Sequence, residues 1–376
     1  MDSFTLIKKL VEENKCMQEN VLDFLEAKDA CFKNVKEYID NEKIRENKEK
    51  LLIFINILST ISDNHKISHE FINKIKQIIN YLQLNIKKFN SDLEIYQTFK
   101  KSKQILLFLF DQKILIPNSL IFEDMRRSTD MLQYFYREFE SFILEMKNPP
   151  ACIINKEEGK CGDNTDMLCE IIRQDQVKEF SIFINTYNIP LSYEIDGTIY
   201  EKNSFLSNKK VTLIEYAAFH GSTNIFKDLM TMKVTIDPSI LLYAIHSNND
   251  ELVDFILQNV FVKIDQKTSN LCLLESIKCH HIQIMKFFKE YHFQDDGKIN
   301  LPRQCLKNYN FILLNDMLSE MKCYDDIDSY FKREDKNLIL FLCKYKLFSF
   351  VKVLLEYNRN LNINEKIIKI SYISFY

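Results

Sequence analysis

His65 and His69 stand four residues apart, a spacing that can set two imidazoles on one helix face and begin a zinc site. Ser68, between them, is a typical helix N-cap, which leaves His65 outside the helix that carries His69. No His-Glu-x-x-His string and no third ligand accompany the pair. Cys279, His280 and His281 are consecutive. Helix neighbours diverge by about 100°, so three in a row do not converge on one ion. Both groups read as structural. Cys161 and Cys169 are too widely spaced for a local metal knuckle. Glycine-rich phosphate loops, Gly-x-Gly-x-x-Gly and Gly-x-Ser-x-Gly are missing from the sequence. The acid pairs Asp295-Asp296 and Asp325-Asp326 sit in loop-like stretches and read as solvated. The expectation is a non-enzyme with no metal and no cofactor.

The chain has 376 residues, enough for two or more domains. Lys and Arg number 50 against 53 Asp and Glu, a net charge of −3 that lacks the positive bias of a nucleic-acid binder. The apolar run Leu51 to Leu58 is interrupted by Asn56, and Ile105 to Phe110 is far too short to span a membrane. The start of the chain is acidic at Asp2 and then amphipathic, unlike a secretory signal. Ten cysteines without paired spacing suit free thiols in a reducing compartment. A cytoplasmic location follows, with the nucleus left open.

The elements that position these residues are helices. Up to Pro149 the only helix breaker is Pro117, and all five glycines come later. Residues 1–150 therefore read as a helical N-terminal region joined by short polar turns. Ile72, Ile75, Ile78-Ile79, Leu82 and Ile86 form one apolar face, with Ile67 and Ile72 flanking Ser68 as a staple. Asn148-Pro149-Pro150 and the loop-like Glu157 to Asn164 mark a boundary. From 163 to 376 a helix-turn-helix pattern recurs. Its clearest copy is Val211 to Gly221, followed by Ile225-Phe226 and Leu229-Met230. The register positions Ala217, Ala244, Ser276, Cys305 and Leu342 are spaced by about 30 residues, a period belonging to ankyrin-type units. Units are expected near 165–190, 211–236, 238–264, 270–296, 299–322 and 336–358, with a partial unit at 364–376 and an irregular stretch from Pro190 to Lys210.

Thr212, Ile214, Ala217-Ala218, Gly221, Ile225-Phe226 and Leu229-Met230 fill the ankyrin frame in order. Cys343 to Lys346, running on to Phe350-Val351 and Leu354-Leu355, matches its second half. The chain thus resembles ankyrin-repeat proteins. Leu168 to Asp175, Tyr200 to Leu206 and Ser276 to His281 give a closer resemblance to a large protist (trichomonad-type) set carrying a repeat-associated domain of unknown function. Gln104 to Leu109 and Tyr134 to Phe139 resemble that set's leading region. No unit holds the full Thr-Pro-Leu-His string, and most lack the turn glycine. The resemblance implies an all-α, ankyrin-like helical solenoid behind an α-helical N-terminal region, a binding role and no catalytic residues.

In the ankyrin frame the variable positions of the first helix face a concave surface. Here these are Tyr216, Phe219, His220, Tyr243, His246, Ser247, Glu275, Lys278, Gln304, Lys307, Phe341, Lys344 and Tyr345. Aromatics with charges between them suit a protein-binding groove. The expected function is a protein–protein interaction scaffold, with neither nucleic acid nor membrane as partner. Self-association through the apolar C-terminal edge, Ile367 to Tyr376, is a further expectation. Two alternatives stay open. One is an adaptor whose N-terminal helices recruit another machine, such as a ubiquitin ligase. The other is an enzyme with its chemistry near Tyr200 to Phe205.

Overall fold

The computed structural model describes residues 3–65, 68–146, 164, 166–201, 203–207, 209–259, 265–293, 299–320 and 338–357. These are predominantly helical, as the breaker-poor sequence implies. The chain opens with α1 (Ser3–Glu26), α2 (Phe32–Asn41) and α3 (Lys48–Asn64). Then follow α4 (His69–Phe89), α5 (Asp92–Phe99), α6 (Lys103–Asp111), α7 (Ser119–Met125), α8 (Thr129–Tyr134) and α9 (Glu140–Leu144). Six helix pairs come next: α10 (Met167–Arg173) with α11 (Val177–Thr186), α12 (Leu213–His220) with α13 (Thr223–Thr231), α14 (Ile240–His246) with α15 (Asp250–Asn259), α16 (Gln266–Cys279) with α17 (Ile282–Phe287), α18 (Leu301–Lys307) with α19 (Phe311–Glu320), and α20 (Leu338–Lys344) with α21 (Phe348–Tyr357). Between α11 and α12, a short antiparallel pair forms from β1 (Glu194–Asp196) and β2 (Lys210–Thr212), with Ile195 opposite Val211. This hairpin was not expected from the irregular stretch 190–210.

One turn recurs in all six pairs. Asp175, Gly221, Asn248, His280, Tyr309 and Lys346 all have left-handed backbone, with φ between 49° and 71°. Each lies four residues after a buried position of the first helix: Ile171, Ala217, Ala244, Ser276, Cys305 and Leu342. In the second pair the Gly221 N–H donates to the Ala218 carbonyl and the Ser222 N–H to the Ala217 carbonyl. The same two bonds recur as Asp175 to Ile172 with Gln176 to Ile171, and as His280 to Ile277 with His281 to Ser276. They recur again as Tyr309 to Leu306 with Asn310 to Cys305, and as Lys346 to Cys343 with Leu347 to Leu342. This is the Schellman ending, which satisfies the orphan carbonyls of the first helix and reverses the chain into the second. Glycine fills the position once. Elsewhere Asp, Asn, His, Tyr and Lys adopt it against the steric preference of an L-residue.

The described residues group into two compact units. The first contains the chain up to Thr60 and the described residues from 299 onward; the second is Ile61–Phe293. The expected boundary at 150–163 falls outside the described residues, and the described chain on both sides of it belongs to the second unit. There the Lys103 Nζ donates to the Ile199 carbonyl at 2.5 Å, and the Tyr134 and Tyr200 rings pack 5.9 Å apart. The partial unit at 364–376, the staple residue Ile67 and both acid pairs also lie outside the described residues.

In the first unit, α1 lies against α2, α19 and α21. Its apolar face (Ile7, Val11, Val21, Leu25) is buried. The buried Gln18 carboxamide oxygen accepts from the backbone N–H groups of Phe311 and Ile312 at 2.6 and 3.0 Å, and so caps α19 from another helix. Phe311 stacks on Phe350, and Glu49 bonds Ser349 and Lys352. In the second unit, α10, α12, α14 and α16 pack side by side in that order, each against its following helix. Ser222 ties neighbouring pairs by donating to the Ile172 carbonyl, and the Asp175 carboxylate accepts the backbone N–H groups of Asn224 and Ile225. A phenylalanine cluster (Phe110, Phe122, Phe135, Phe139) fills the space among α6 to α9.

Candidate functional site

Ala217, Ala244 and Ser276 let α12, α14 and α16 approach closely, and the face these helices share carries the polar centre of the second unit. Thr212 caps α12 in a capping box with Glu215, which fixes where that helix starts. The β1–β2 hairpin and the residues up to Phe205 then lie over this inner face. The Phe205 ring stacks on Phe219 at 6.0 Å, meets Tyr243 edge-on at 5.1 Å and lies 4.3 Å from His246. The Lys209 ammonium sits 3.7 Å from the centroid of the Phe205 ring, a cation–π contact. Asn203 supports the segment from within: its Oδ1 accepts the Phe205 N–H at 2.8 Å and its amide nitrogen points at His246 Nδ1.

His246 is the hub. Its Nε2 is 2.8 Å from Glu275 Oε1, and its Nδ1 is 3.4 Å from Cys279 Sγ. Glu275 and Cys279 are four apart on α16, so both project from one face toward α14. Lys278 Nζ also reaches Glu275 Oε1, at 2.9 Å. Burial drives the Glu275 carboxyl up, but the hydrogen bonds and charges of His246 and Lys278 outweigh it and hold the group down at about 2. Burial keeps the His246 ring below its ordinary range despite Glu275. Beyond this centre, His281 is fully buried and packs edge-on against His65 at 4.5 Å. His65 in turn stacks on Phe71. Ser68 caps α4 through the Phe71 N–H, so His65 and His69 do not share a helix face.

Cysteine, imidazole and carboxylate in this order match the nucleophile, base and orienting group of covalent catalysis. Burial opposes that use. Cys279 and His246 have essentially no exposed surface, and burial together with the Glu275 charge pushes the thiol far above its ordinary range. A reactive cysteine needs the reverse, a lowered thiol pKa and an open approach. A surface cleft lined by Asp250, Val253, Asp254, Gln283, Ile284 and Phe287 offers carboxylates and no nucleophile–base pair.

The residues expected on an open concave surface divide into two sets. Tyr216, Phe219, Tyr243, His246 and Ser247 are buried, a correction to that expectation. Their inner face is covered by Phe205 and its neighbours or filled by the chain's own bonds. Tyr216 accepts from Arg173 at 2.9 Å, and Ser247 donates to the Ala244 carbonyl. Burial pushes the Tyr243 hydroxyl up to about 12. His220, Glu275 and Lys278 are half-buried at the rim of this face. In the first unit, Gln304, Phe341 and Tyr345 are half-buried, while Lys307 and Lys344 are exposed. There the Arg303 guanidinium lies 5.3 Å from the Phe341 ring, which packs on Tyr345. Asn203 and Arg173 carry no spacing or motif signal of their own in the sequence. Phe205 lay in the segment resembling the protist set, but no periodic signal placed it over Phe219 and Tyr243.

No family model matches the chain, and neither a curated protein nor a solved structure matches it. Among the described residues no helix is long and apolar enough to cross a membrane.

Proposed function

We propose that this chain is a non-enzymatic protein-binding module built of ankyrin-like helix pairs, four in one unit and two in the other. The observation that carries the reading is the left-handed turn at Asp175, Gly221, Asn248, His280, Tyr309 and Lys346, always four residues after a buried position. A repeat array requires such constancy, because each pair buries its face only against the next. The likeness of Val211 to Gly221 to the ankyrin frame points the same way. Binding falls to the accessible positions of the first unit: Arg303, Lys307, Phe341, Lys344 and Tyr345. Aromatic rings among cationic side chains form a patch of the composition that protein contacts favour. Tyr216, Phe219, Tyr243, His246 and Ser247 then serve the fold. Burial of the α1 face against α19 and α21 speaks against an adaptor that offers this helix to another machine.

The test combines alkylation with crosslinking. In the folded chain the exposed Cys31 should react with iodoacetamide while Cys279 stays unmodified until denaturant is added. A photo-crosslinking residue at Phe341 should give a discrete partner adduct in cells, lost on Tyr345→Ala. Native Cys279 alkylating faster than Cys31 would defeat the non-enzymatic reading, and the absence of any adduct from Phe341 would defeat the surface.

A further inference from the structure

We propose that His246, Glu275 and Cys279 form a binding site for one divalent transition-metal ion, with zinc the best fit. One ligand atom from each residue lies within 4.8 Å of the other two. His246 Nε2 is 2.8 Å from Glu275 Oε1 and 4.0 Å from Cys279 Sγ. A tetrahedral ion about 2.0 Å from nitrogen and oxygen and about 2.3 Å from sulfur sets such atoms roughly 3.3–3.5 Å apart. Opening of the His246–Glu275 pair and contraction of the His246–Cys279 pair, each by about half an ångström, with closure of the Glu275–Cys279 pair from within 4.8 Å, produces that geometry. Imidazole, thiolate and carboxylate together are a donor set that zinc accepts and that magnesium or calcium does not.

Three features around the site favour an ion. Lys278 already bonds Glu275 Oε1 at 2.9 Å, a contact that would steady the carboxylate as its oxygen meets the metal. The backbone of Asn64 hydrogen-bonds the His246 ring, the outer support that a metal-bound imidazole uses to hold its orientation. Asp63 is buried, its Oδ1 has no hydrogen-bond partner, and its charge acts on His246, Lys278 and Cys279. One divalent ion neutralises the Glu275 carboxylate and a Cys279 thiolate, while Asp63 lies within the field of Lys101 and Lys278. The Glu275 side chain, 17% exposed, gives the ion its way in. The thiol proton leaves to solvent as the sulfur binds. The site would clamp α14 to α16. Its donors come from two helices, 33 residues apart between His246 and Cys279, so spacing within either stretch carries no metal signature.

Cobalt(II) titration of the chelator-stripped, folded full-length chain tests the proposal. The expected result is saturation at one equivalent, with a thiolate-to-cobalt charge-transfer band, strong tetrahedral d–d bands and displacement of both by zinc. Cys279→Ser, checked by circular dichroism for native helicity, should lose the charge-transfer band and bind zinc roughly tenfold more weakly or worse. Cys31→Ser should keep both signals. A folded wild-type chain with no charge-transfer band overturns the assignment, as does a band that survives Cys279→Ser or vanishes with Cys31→Ser.

Discussion

Gly197→Ala should loosen the cover over the inner face of the second unit. An added Cβ would lie 2.6 Å from the Lys209 carbonyl oxygen and 2.9 Å from its nitrogen, and closer still to the Leu206 carbonyl oxygen. All three are backbone atoms, so no side chain can swing aside. The Gly197 N–H also donates to the Lys209 carbonyl at 2.6 Å, and the hairpin cannot widen without stretching that bond. Overpacking of this kind costs about 1–3 kcal/mol, and a weakened backbone hydrogen bond adds about 1 kcal/mol. The expected loss is therefore about 2–4 kcal/mol if the chain unfolds from an intact cover. If the segment instead detaches locally, the loss is smaller and Phe205 leaves Phe219 and Tyr243. Urea denaturation reads the first outcome. Trypsin cleavage after the exposed Lys209 and Lys210 reads the second, as faster nicking at unchanged global stability. A variant within about 0.5 kcal/mol of wild type, with unchanged cleavage, would refute the hairpin packing and with it the covered face.

Lys113→Gly and Lys233→Gly should each raise stability by about 0.5–1 kcal/mol, because both hold left-handed backbone at φ 53° and 58°; a urea midpoint that falls in both speaks against those turns. Ala244→Glu should cost about 4 kcal/mol or more, since the side chain has no exposed surface and no partner for a charge; soluble expression and a normal melting temperature would contradict the packing of α12 on α14. Burial holds His246 and His281 below 6.5, so below that pH the unfolded chain binds protons the folded one refuses. Stability is then fully present above pH 6.5 and falls as pH drops, by about 1.4 kcal/mol per pH unit for each histidine kept neutral. Urea midpoints at neutral and mildly acidic pH check this, and His281→Gln should flatten the slope.

Helices and their pairing were legible because apolar residues recur with the helical period and Ala217, Ala244, Ser276, Cys305 and Leu342 follow one another at intervals of about 30 residues, the variation falling in the loops. Five of the six turns were obscure, because only Gly221 carries the residue type that signals a left-handed ending. The hairpin over Phe219 and Tyr243 had no signal either: three-residue strands are too short for alternation to show. The grouping of α1 with α19 and α21 was out of reach for the same kind of reason. Gln18 meets Phe311 across 293 residues, and periodicity reports only on neighbours. The Cys279–His246–Glu275 centre is half legible: the repeat frame marks His246 and Glu275 as variable first-helix positions, whereas Cys279 stands only beside His280 and His281. Helical divergence did separate those three; the partner was on another helix.

The left-handed turns also bear on how this chain is encoded. Every glycine codon begins with two guanines, whereas codons for Lys, Asn and Tyr begin with A or T and are built mostly from those bases. A coding sequence drifting toward A and T would exchange turn glycines for the residues found at Asn248, Tyr309 and Lys346, at roughly 1 kcal/mol per turn. Across those three turns that is a sizeable share of an ordinary folding free energy. Nucleotide composition can thus act on the fold as a distributed destabilising pressure, and the repeated Schellman hydrogen bonds and buried inner positions are what hold the turn geometry against it.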